Sequence, residues 1–262
     1  MKYFDSHAHY YDGRFQENGQ SVDTLIDALL SSSVSVIVNV GTSPETSRLA
    51  IEQAKAHENM YTAIGIHPYD ANFLISDMEK AVREIEELIK NPESKCVALG
   101  EIGLDYHYDG YDEALQQEYF ARQMALAERL EIPVVIHDRD AHGDTLEIIK
   151  KFPRVKGIMH SFSGSVEMAE ELVRLGYYIS FSGTLTFKNA RKTPEVALAV
   201  PSDRVLIETD APYLTPHPHR GKINHSGYLE YTNLRLAELW GISAEECAKI
   251  TDENARRFFS IK

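Results

Sequence analysis

The segment VDTLIDALLSSSVSVIVNV, residues 22–40, joins the two periodicities that decide the fold. In its first half, the apolar residues Val22, Leu25, Ile26 and Leu29 are three or four positions apart, which is typical of an amphipathic helix. Its second half is a valine-rich run that is typical of a buried strand. The two patterns alternate along the chain. We predict eight strands, at residues 3–5, 34–40, 61–66, 97–102, 133–136, 156–159, 177–181 and 205–208.

Eight strand and helix units in a chain of 262 residues predict an α/β fold, a single-domain (β/α)8 TIM barrel that occupies residues 1–262. The segment 228–259 has helical patterns only and predicts extra C-terminal helices. An open doubly wound sheet is the alternative. That fold would carry a glycine-rich phosphate-binding turn after its first strand, where this chain reads Asp5-Ser6-His7-Ala8-His9.

The composition is that of a globular protein, with 43% hydrophobic residues and only two cysteines. Forty acidic and 27 basic residues give a net charge of -13, which disfavours non-specific coating of nucleic acid. No apolar run is long enough to span a bilayer, and the first residues lack the apolar core of a signal peptide. We therefore expect a cytoplasmic monomer without a disulfide framework and without membrane association.

Side chains that can bind metals follow five of the predicted strands. They are His7, His9, Glu101, His137, His160 and Asp210. Alone, each is more typical of a hydrogen-bonded core residue than of a metal ligand. Parallel strands of a barrel end at one mouth, however, and burying all six groups there without cations would be costly. The set predicts two divalent ions that share one carboxylate, with zinc or manganese favoured over magnesium, which prefers more oxygen ligands.

These positions also carry a family resemblance. The chain resembles the TatD family of metal-dependent deoxyribonucleases, which are amidohydrolase-like barrels. The matching motifs are residues 4–9 (FDSHAH), 65–68 (GIHP), 100–106 (GEIGLDY), 136–141 (IHDRDA), 160–164 (HSFSG), 208–216 (ETDAPYLTP) and 254–258 (NARRF).

The resemblance implies a role for each ligand. One ion would be held by His7, His9, Glu101 and Asp210, and the second by Glu101, His137 and His160. Glu101 would then bridge two ions about 3.5–4 Å apart, as in other two-metal sites. Asp210 would also accept the proton of the attacking water, so both Glu101 and Asp210 would be catalytic.

The resemblance further implies a 3′–5′ exonuclease acting on single-stranded DNA ends. Candidate substrate-binding residues are His67, Asp105, Arg139, His217, Arg220 and Lys222. Further loop cations are Lys188, Arg191 and Lys192, and aromatic residues placed to stack on bases are Tyr106, Tyr108, Phe162, Phe187 and Tyr213. One loop departs from the family pattern, reading RGKINHS at 220–226 where the family has RGKRNEP.

Two other functions stay open on the sequence. The same barrel could hydrolyse the ester of a D-aminoacyl-tRNA, or another ester or amide. It could also be a non-catalytic binding protein in which the metal ions are structural.

Overall fold

The computed structural model describes residues 1–16, 21–73 and 75–262. Within them, eight strands form one parallel sheet in the order of the sequence. The strands are β1 Tyr3–Ala8, β2 Val34–Val40, β3 Met60–Ile64, β4 Cys96–Asp105, β5 Val134–Arg139, β6 Gly157–Met159, β7 Tyr178–Phe181 and β8 Val205–Ile207. The predicted TIM barrel is confirmed, and the open sheet is not found.

The sheet closes where β8 meets β1. The amide of Asp210 donates to the carbonyl of His7 at 2.9 Å, and the amide of His9 donates to the carbonyl of Ala211 at 2.7 Å. Lower in the barrel, the hydroxyl of Ser6 donates to the carbonyl of Ile207 at 3.0 Å. These bonds bring the residues after β1 and β8 side by side at the mouth.

Helices cover the outer face of the sheet. They are α1 Val22–Ser32, α2 Pro44–Ala56, α3 Pro68–Phe73, α4 Met78–Lys90, α5 Glu113–Leu130, α6 His142–Lys150, α7 Val166–Arg174, α8 Lys192–Ala199, α9 Leu229–Trp240 and α10 Ala244–Phe259. Several begin at a side-chain cap, as at Ser243, whose hydroxyl accepts from the amide of Glu246 at 3.1 Å. The unit after β3 contains two helices, α3 and α4, rather than one.

Alternation along each strand sorts side chains between two layers. In β5, Val134 and Ile136 pack outward against the helices, whereas Val135 packs inside the barrel. The predicted C-terminal helices α9 and α10 are present. The end of α10 closes the N-terminal end of the barrel, where Phe259 stacks on Phe4 with ring centroids 5.7 Å apart.

Three strands extend further than their sequence pattern predicts. The predicted strands 3–5, 97–102 and 133–136 continue to Ala8, Asp105 and Arg139, respectively. All three extensions contain polar residues that interrupt the apolar pattern, and those of β1 and β4 are buried in the barrel mouth. No helix among the described residues is both long and apolar enough to cross a membrane.

Candidate metal centre

The six metal-binding side chains predicted from the sequence meet at the C-terminal mouth of the barrel. His7, Glu101 and His137 are on β1, β4 and β5. His9 and His160 directly follow β1 and β6, and Asp210 lies just beyond the end of β8. Asp210 occupies a left-handed turn with φ of 56°, a conformation that aspartate tolerates better than most residues. The turn is held by the preceding Thr209, whose amide and hydroxyl both donate to the buried carboxylate of Asp5.

One oxygen of Glu101 faces the first pair of imidazoles. Glu101 Oε2 lies 3.3 Å from His7 Nε2 and 3.7 Å from His9 Nε2. Asp210 Oδ1 lies 3.7 and 3.3 Å from the same two nitrogens, which are 3.0 Å apart. His7 and His9 are two residues apart on one extended segment, so their side chains point to the same side. Their Nε2 atoms therefore converge beside the carboxylates of Glu101 and Asp210.

The other oxygen of Glu101 faces the second pair. Glu101 Oε1 lies 2.9 Å from His137 Nδ1 and 2.9 Å from His160 Nε2. The two nitrogens are 3.3 Å apart. The Glu101 carboxylate is therefore shared between two groups of ligand atoms.

The pKa shifts of the clustered side chains indicate a site that favours bound cations. Burial acts to raise the pKa of Glu101, yet the imidazoles of His160, His67 and His7 hold it well below its usual range. Burial acts to lower the pKa of His137, but Asp105 and Glu101 raise it to about 9. Without metal ions, protons on His137 and His160, whose pKa values are raised by neighbouring carboxylates, thus balance the buried Glu101, and a divalent cation would displace them.

The separations also fit metal coordination. Two ligands bonded to one zinc ion at about 2.0–2.2 Å lie about 3–3.5 Å apart. The atoms in each group are 2.9–3.7 Å apart. Nitrogen and carboxylate ligands in this ratio suit zinc or manganese. Both groups can therefore hold a divalent ion, and a further combination of His67, Asp105 and His137 would use the opposite ring nitrogen of His137.

Three of the imidazoles are oriented by hydrogen bonds at the ring nitrogen that faces away from the metal-binding cluster. His9 Nδ1 donates to the carbonyl of Val40 at 2.7 Å, so its Nε2 lone pair is left for a metal ion. The carboxylate of Asp105 lies 3.0 Å from His137 Nε2, and that of Glu208 lies 3.0 Å from His160 Nδ1.

No role was predicted for Glu208 from the sequence, although it is part of the ETDAP motif. It is fully buried, and its Oε1 also accepts from the amide of Ser161 at 2.6 Å. A glutamate directly after the apolar strand β8 and two residues before Asp210 was the available signal in the sequence. Its partner His160 lies 48 positions away, so the pairing requires the barrel to be closed.

His67 lies beside the second group of ligand atoms. Its Nε2 is 3.7 Å from Glu101 Oε1, and its ring lies edge-on to that of His137 at 4.4 Å. Burial and the neighbouring His137 lower its pKa to about 3. The amide of Tyr69 donates to His67 Nδ1 at 3.0 Å, so the ring proton of the neutral imidazole is on Nε2.

The other predicted substrate residues fall into two groups. Asp105 and Arg139 line the same cavity as the ligand cluster, whose volume is about 640 Å³. His217, Arg220 and Lys222 lie on the adjacent loop after β8 and are not among the residues that line this cavity. The guanidinium of Arg220 lies 3.8 Å from the ring centroid of Phe187.

The aromatic residues predicted to stack on bases are not equally available. Phe162 is 4% exposed and packs in the core, so its proposed stacking role is wrong. Tyr106 donates to Asp144 at 3.0 Å and stacks on Tyr111 at 4.9 Å. Tyr108 and Tyr213 are exposed in the cavity.

The loop that departs from the family pattern is mostly packed. Asn224 is fully buried, and its side-chain amide donates to the carbonyls of Thr209 at 2.9 Å and Tyr213 at 2.6 Å. His225 stacks on Tyr228 with ring centroids 4.0 Å apart. The loop therefore supports the Asp210 turn from outside.

Comparisons with known proteins agree with this site. The family model described as TatD related DNase matches residues 4–260. A Bacillus subtilis protein described as the uncharacterized metal-dependent hydrolase YabD is 43% identical, over 98% of this chain and 99% of that protein. The uncharacterized metal-dependent hydrolase TatD of Mycobacterium tuberculosis is 36% identical, over 98% of this chain and 97% of its own length. The crystal structure of YjjV, a TatD homologue from Escherichia coli, superposes with a TM-score of 0.90 and 29% identity, covering 99% of this chain and 98% of YjjV.

Proposed function

Because the chain belongs to the family of TatD-related DNases, which are metal-dependent hydrolases, we propose that it removes nucleotides from the 3′ ends of single-stranded DNA. One observation carries the proposal: the two carboxylate oxygens of Glu101 face two separate pairs of imidazoles, 2.9–3.7 Å away. The first ion would be held by His7, His9, Glu101 and Asp210, and the second by Glu101, His137 and His160. When bound, such ions polarise a phosphoryl oxygen and acidify water.

Asp210 is the proposed general base. Its carboxylate projects into the cavity, and its side chain is 14% exposed. Burial acts to raise its pKa, but the hydrogen bond from His9 and the charges of His160 and His7 lower it. The carboxylate is thus ionised at neutral pH and can accept a proton from the attacking water.

His67 is proposed to contact the reacting phosphate. Its neutral imidazole directs the Nε2 proton toward the cavity beside Glu101. A neutral donor can bind a phosphoryl oxygen without competing with the cations for the charge of Glu101. Asp105, which holds the far nitrogen of His137, is a positioning residue.

Unpaired cations around the mouth support an anionic polymer as substrate. Arg139 and the loop cations after β7 and β8 form no ion pair with any acidic residue among those described. The loop cations are Lys188, Arg191, Lys192, Arg220 and Lys222. Such groups bind phosphates next to the scissile one, although the whole chain carries a net charge of -13.

The proposal is tested with single-stranded DNA labelled at either end, incubated with manganese, magnesium or zinc and with a chelator. We expect stepwise shortening from the 3′ end with metal and none with chelator. A D-aminoacyl-tRNA is the second substrate. Release of the amino acid without digestion of DNA would favour the ester hydrolase, and no turnover of either substrate with metals bound would favour a structural role for the ions.

The Asp210→Asn variant tests the base. We expect turnover to fall by about a thousandfold, within the range for loss of an acid–base group, while metal analysis still detects bound ions. If turnover survives, Asp210 is not the base.

Raising the salt concentration should weaken DNA binding steeply, because the mouth cations bind phosphates.

A further inference from the structure

Exposed aromatic side chains are concentrated at the mouth of the barrel. Among the described residues, four Phe, Tyr or Trp residues are at least 36% exposed: Tyr69 (44%), Phe73 (44%), Tyr108 (46%) and Tyr213 (37%). All four are on segments that follow the C-terminal ends of strands. Exposed apolar groups gathered in one place mark a binding surface.

Three of the four form one group with Arg139. The guanidinium of Arg139 lies 5.2 Å from the ring centroid of Tyr108, and its Nη1 donates to the Tyr108 hydroxyl at 3.2 Å. The ring of Tyr69 lies edge-on to Tyr108 at 5.9 Å, and Phe73 lies 5.0 Å beyond Tyr69. We call these four residues the Tyr108 wing.

The Tyr108 wing is held in place by contacts below it. The side chain of Asn72 in α3 accepts from the amide of Asp112 at 2.5 Å and reaches the carbonyl of Gly110 at 3.5 Å. Both residues belong to the segment that follows β4. Because Tyr69 is also bonded to His67 through its amide, the wing has a fixed position beside the ligand cluster.

The fourth aromatic residue forms a second group with Arg14. The guanidinium of Arg14 lies 4.5 Å from the ring centroid of Tyr213. The Tyr213 hydroxyl donates to Asp12 at 2.6 Å, and its ring lies 6.2 Å from that of His9. We call Arg14 and Tyr213 the Tyr213 wing.

The two wings stand on opposite sides of the ligand cluster. The Tyr108 wing follows β3, β4 and β5, whereas the Tyr213 wing follows β1 and β8. In a ring with strand order β1 to β8, these two sectors face each other. Arg14, Tyr69, Tyr108, Arg139 and Tyr213 line the cavity that also contains the cluster.

Each wing combines an aromatic face with a guanidinium that has no carboxylate partner in residues 1–16, 21–73 and 75–262. A nucleotide offers the complement of this pair, since its base stacks on aromatic rings and its phosphate binds guanidinium. Resting on the proposed function, we infer that the two wings are base-binding subsites for the nucleotides on either side of the scissile phosphate. The strand crosses the mouth from one wing to the other, with the phosphate over Glu101 and Asp210.

Paired bases cannot take these positions, because they are stacked within the duplex. The two wings therefore determine the preference for unpaired ends, and the cluster of metal-binding residues between them carries out the cleavage. Stacking is tolerant of sequence, so all four bases should be accepted.

The test pairs a change in the protein with a change in the substrate. Three single strands are compared: an intact one, one whose 3′-terminal nucleotide is replaced by a tetrahydrofuran abasic analogue, and one with the analogue at the penultimate position. Each is digested by wild type, Tyr108→Leu and Tyr213→Leu. Leu234→Ala is the control, because Leu234 is 46% exposed on α9, outside the cavity.

In wild type, we expect kcat/KM to fall about tenfold to a hundredfold when either base is removed, as for loss of one stacked base. Each tyrosine variant should lose a similar factor on the intact strand and then be insensitive to removal of one of the two bases, a different base for each variant. Tyr108→Phe, which keeps the ring, should behave like wild type. Additive losses in both variants, or responses like that of Leu234→Ala, would overturn the inference.

A measurement of DNA binding tests the two subsites independently of the proposed nuclease activity. Fluorescence anisotropy of the same strands in chelator measures affinity without turnover. If wild type binds the intact strand in chelator but does not cleave it when metal is added, the proposed nuclease is contradicted, while the pairing of each tyrosine with one base in the binding data still decides on the subsites. Equal affinities for intact and abasic strands in all variants would refute them.

Discussion

The two halves of the barrel interior are built by the same strands but have opposite chemistry. In β5, Val135 packs in the apolar lower half, and His137, two residues further along the same face, contacts Glu101 at 2.9 Å. In the next strand, Ile158 packs in the lower half, and His160 follows two residues later. Stability and chemistry are thus separated along each strand, and a change in one half should leave the other intact.

The charged residues show a similar division. Several cations of the outer helices are paired with acids, as Arg48 is with Glu84 at 2.8 Å and Arg129 with Glu86 at 2.7 Å. Arg14 and Arg139 at the mouth have no such partner among the described residues. The mouth of the barrel can therefore attract phosphate although the chain as a whole has a negative net charge.

The largest effect is expected in the upper half, at Glu101. Since both groups of ligand atoms share this carboxylate, Glu101→Gln should lower the rate of DNA digestion by more than about a thousandfold, as each ion contributes several kcal/mol. Metal analysis should also find less bound metal than in wild type, because each group of ligand atoms loses a carboxylate oxygen that can bind a cation. Retained activity together with wild-type metal content would mean that Glu101 does not join two cation sites.

The reciprocal change is Ile158→Ala in the lower half. We expect it to reduce the free energy of unfolding by about 2–5 kcal/mol, because the removed side chain leaves a cavity. Denaturant unfolding measures this loss, with Ile158→Val as the smaller, shape-preserving control. Metal content and activity per folded molecule should match wild type, and a specific loss of either would break the separation between the halves.

A smaller effect is expected at Glu208, whose carboxylate is hydrogen-bonded to Nδ1 of His160. Glu208→Gln should weaken cation binding by about tenfold to a hundredfold, the usual cost of losing such a partner. Titration against a competing chelator measures the affinity. An unchanged affinity would show that the position of His160 is fixed without Glu208.

The smallest effect is expected on the outer helices. Hydrogen bonds from Arg129 and Lys90 lower the pKa of Glu86 to about 2, from 4.5. A lowered pKa stabilises the fold at pH values above 4.5, and this contribution disappears as the pH falls toward 2. Glu86→Gln should therefore cost less than about 1 kcal/mol at pH 7. The difference from wild type in urea unfolding should shrink at pH 3.5, and a difference that grows there would contradict this ion pair.

The sequence predicted the parts of the molecule that depend on local patterns. Alternating periodicities indicated the barrel, and the positions of the ligands at strand ends predicted that they meet. The strands β1, β4 and β5 were predicted to end too early, because polar residues such as His7, Asp105 and His137 interrupt the apolar pattern there.

Contacts between distant segments were not predicted, although Tyr108 and Tyr213 were themselves predicted to stack on bases. Arg14 meets Tyr213 across the closure of the barrel, and Tyr69 meets Tyr108 across two loops. The sequence does not indicate which of many surface aromatic residues will meet. Only the closed ring determines that these pairs flank the same cavity.

The central claim is that Glu101 joins two cation sites. Anomalous diffraction from a crystal soaked in manganese or zinc tests it most directly. The account predicts two peaks, one on each side of the Glu101 carboxylate and about 3.5–4 Å apart. One peak, or none, at this carboxylate in crystals that contain the metal elsewhere would contradict it.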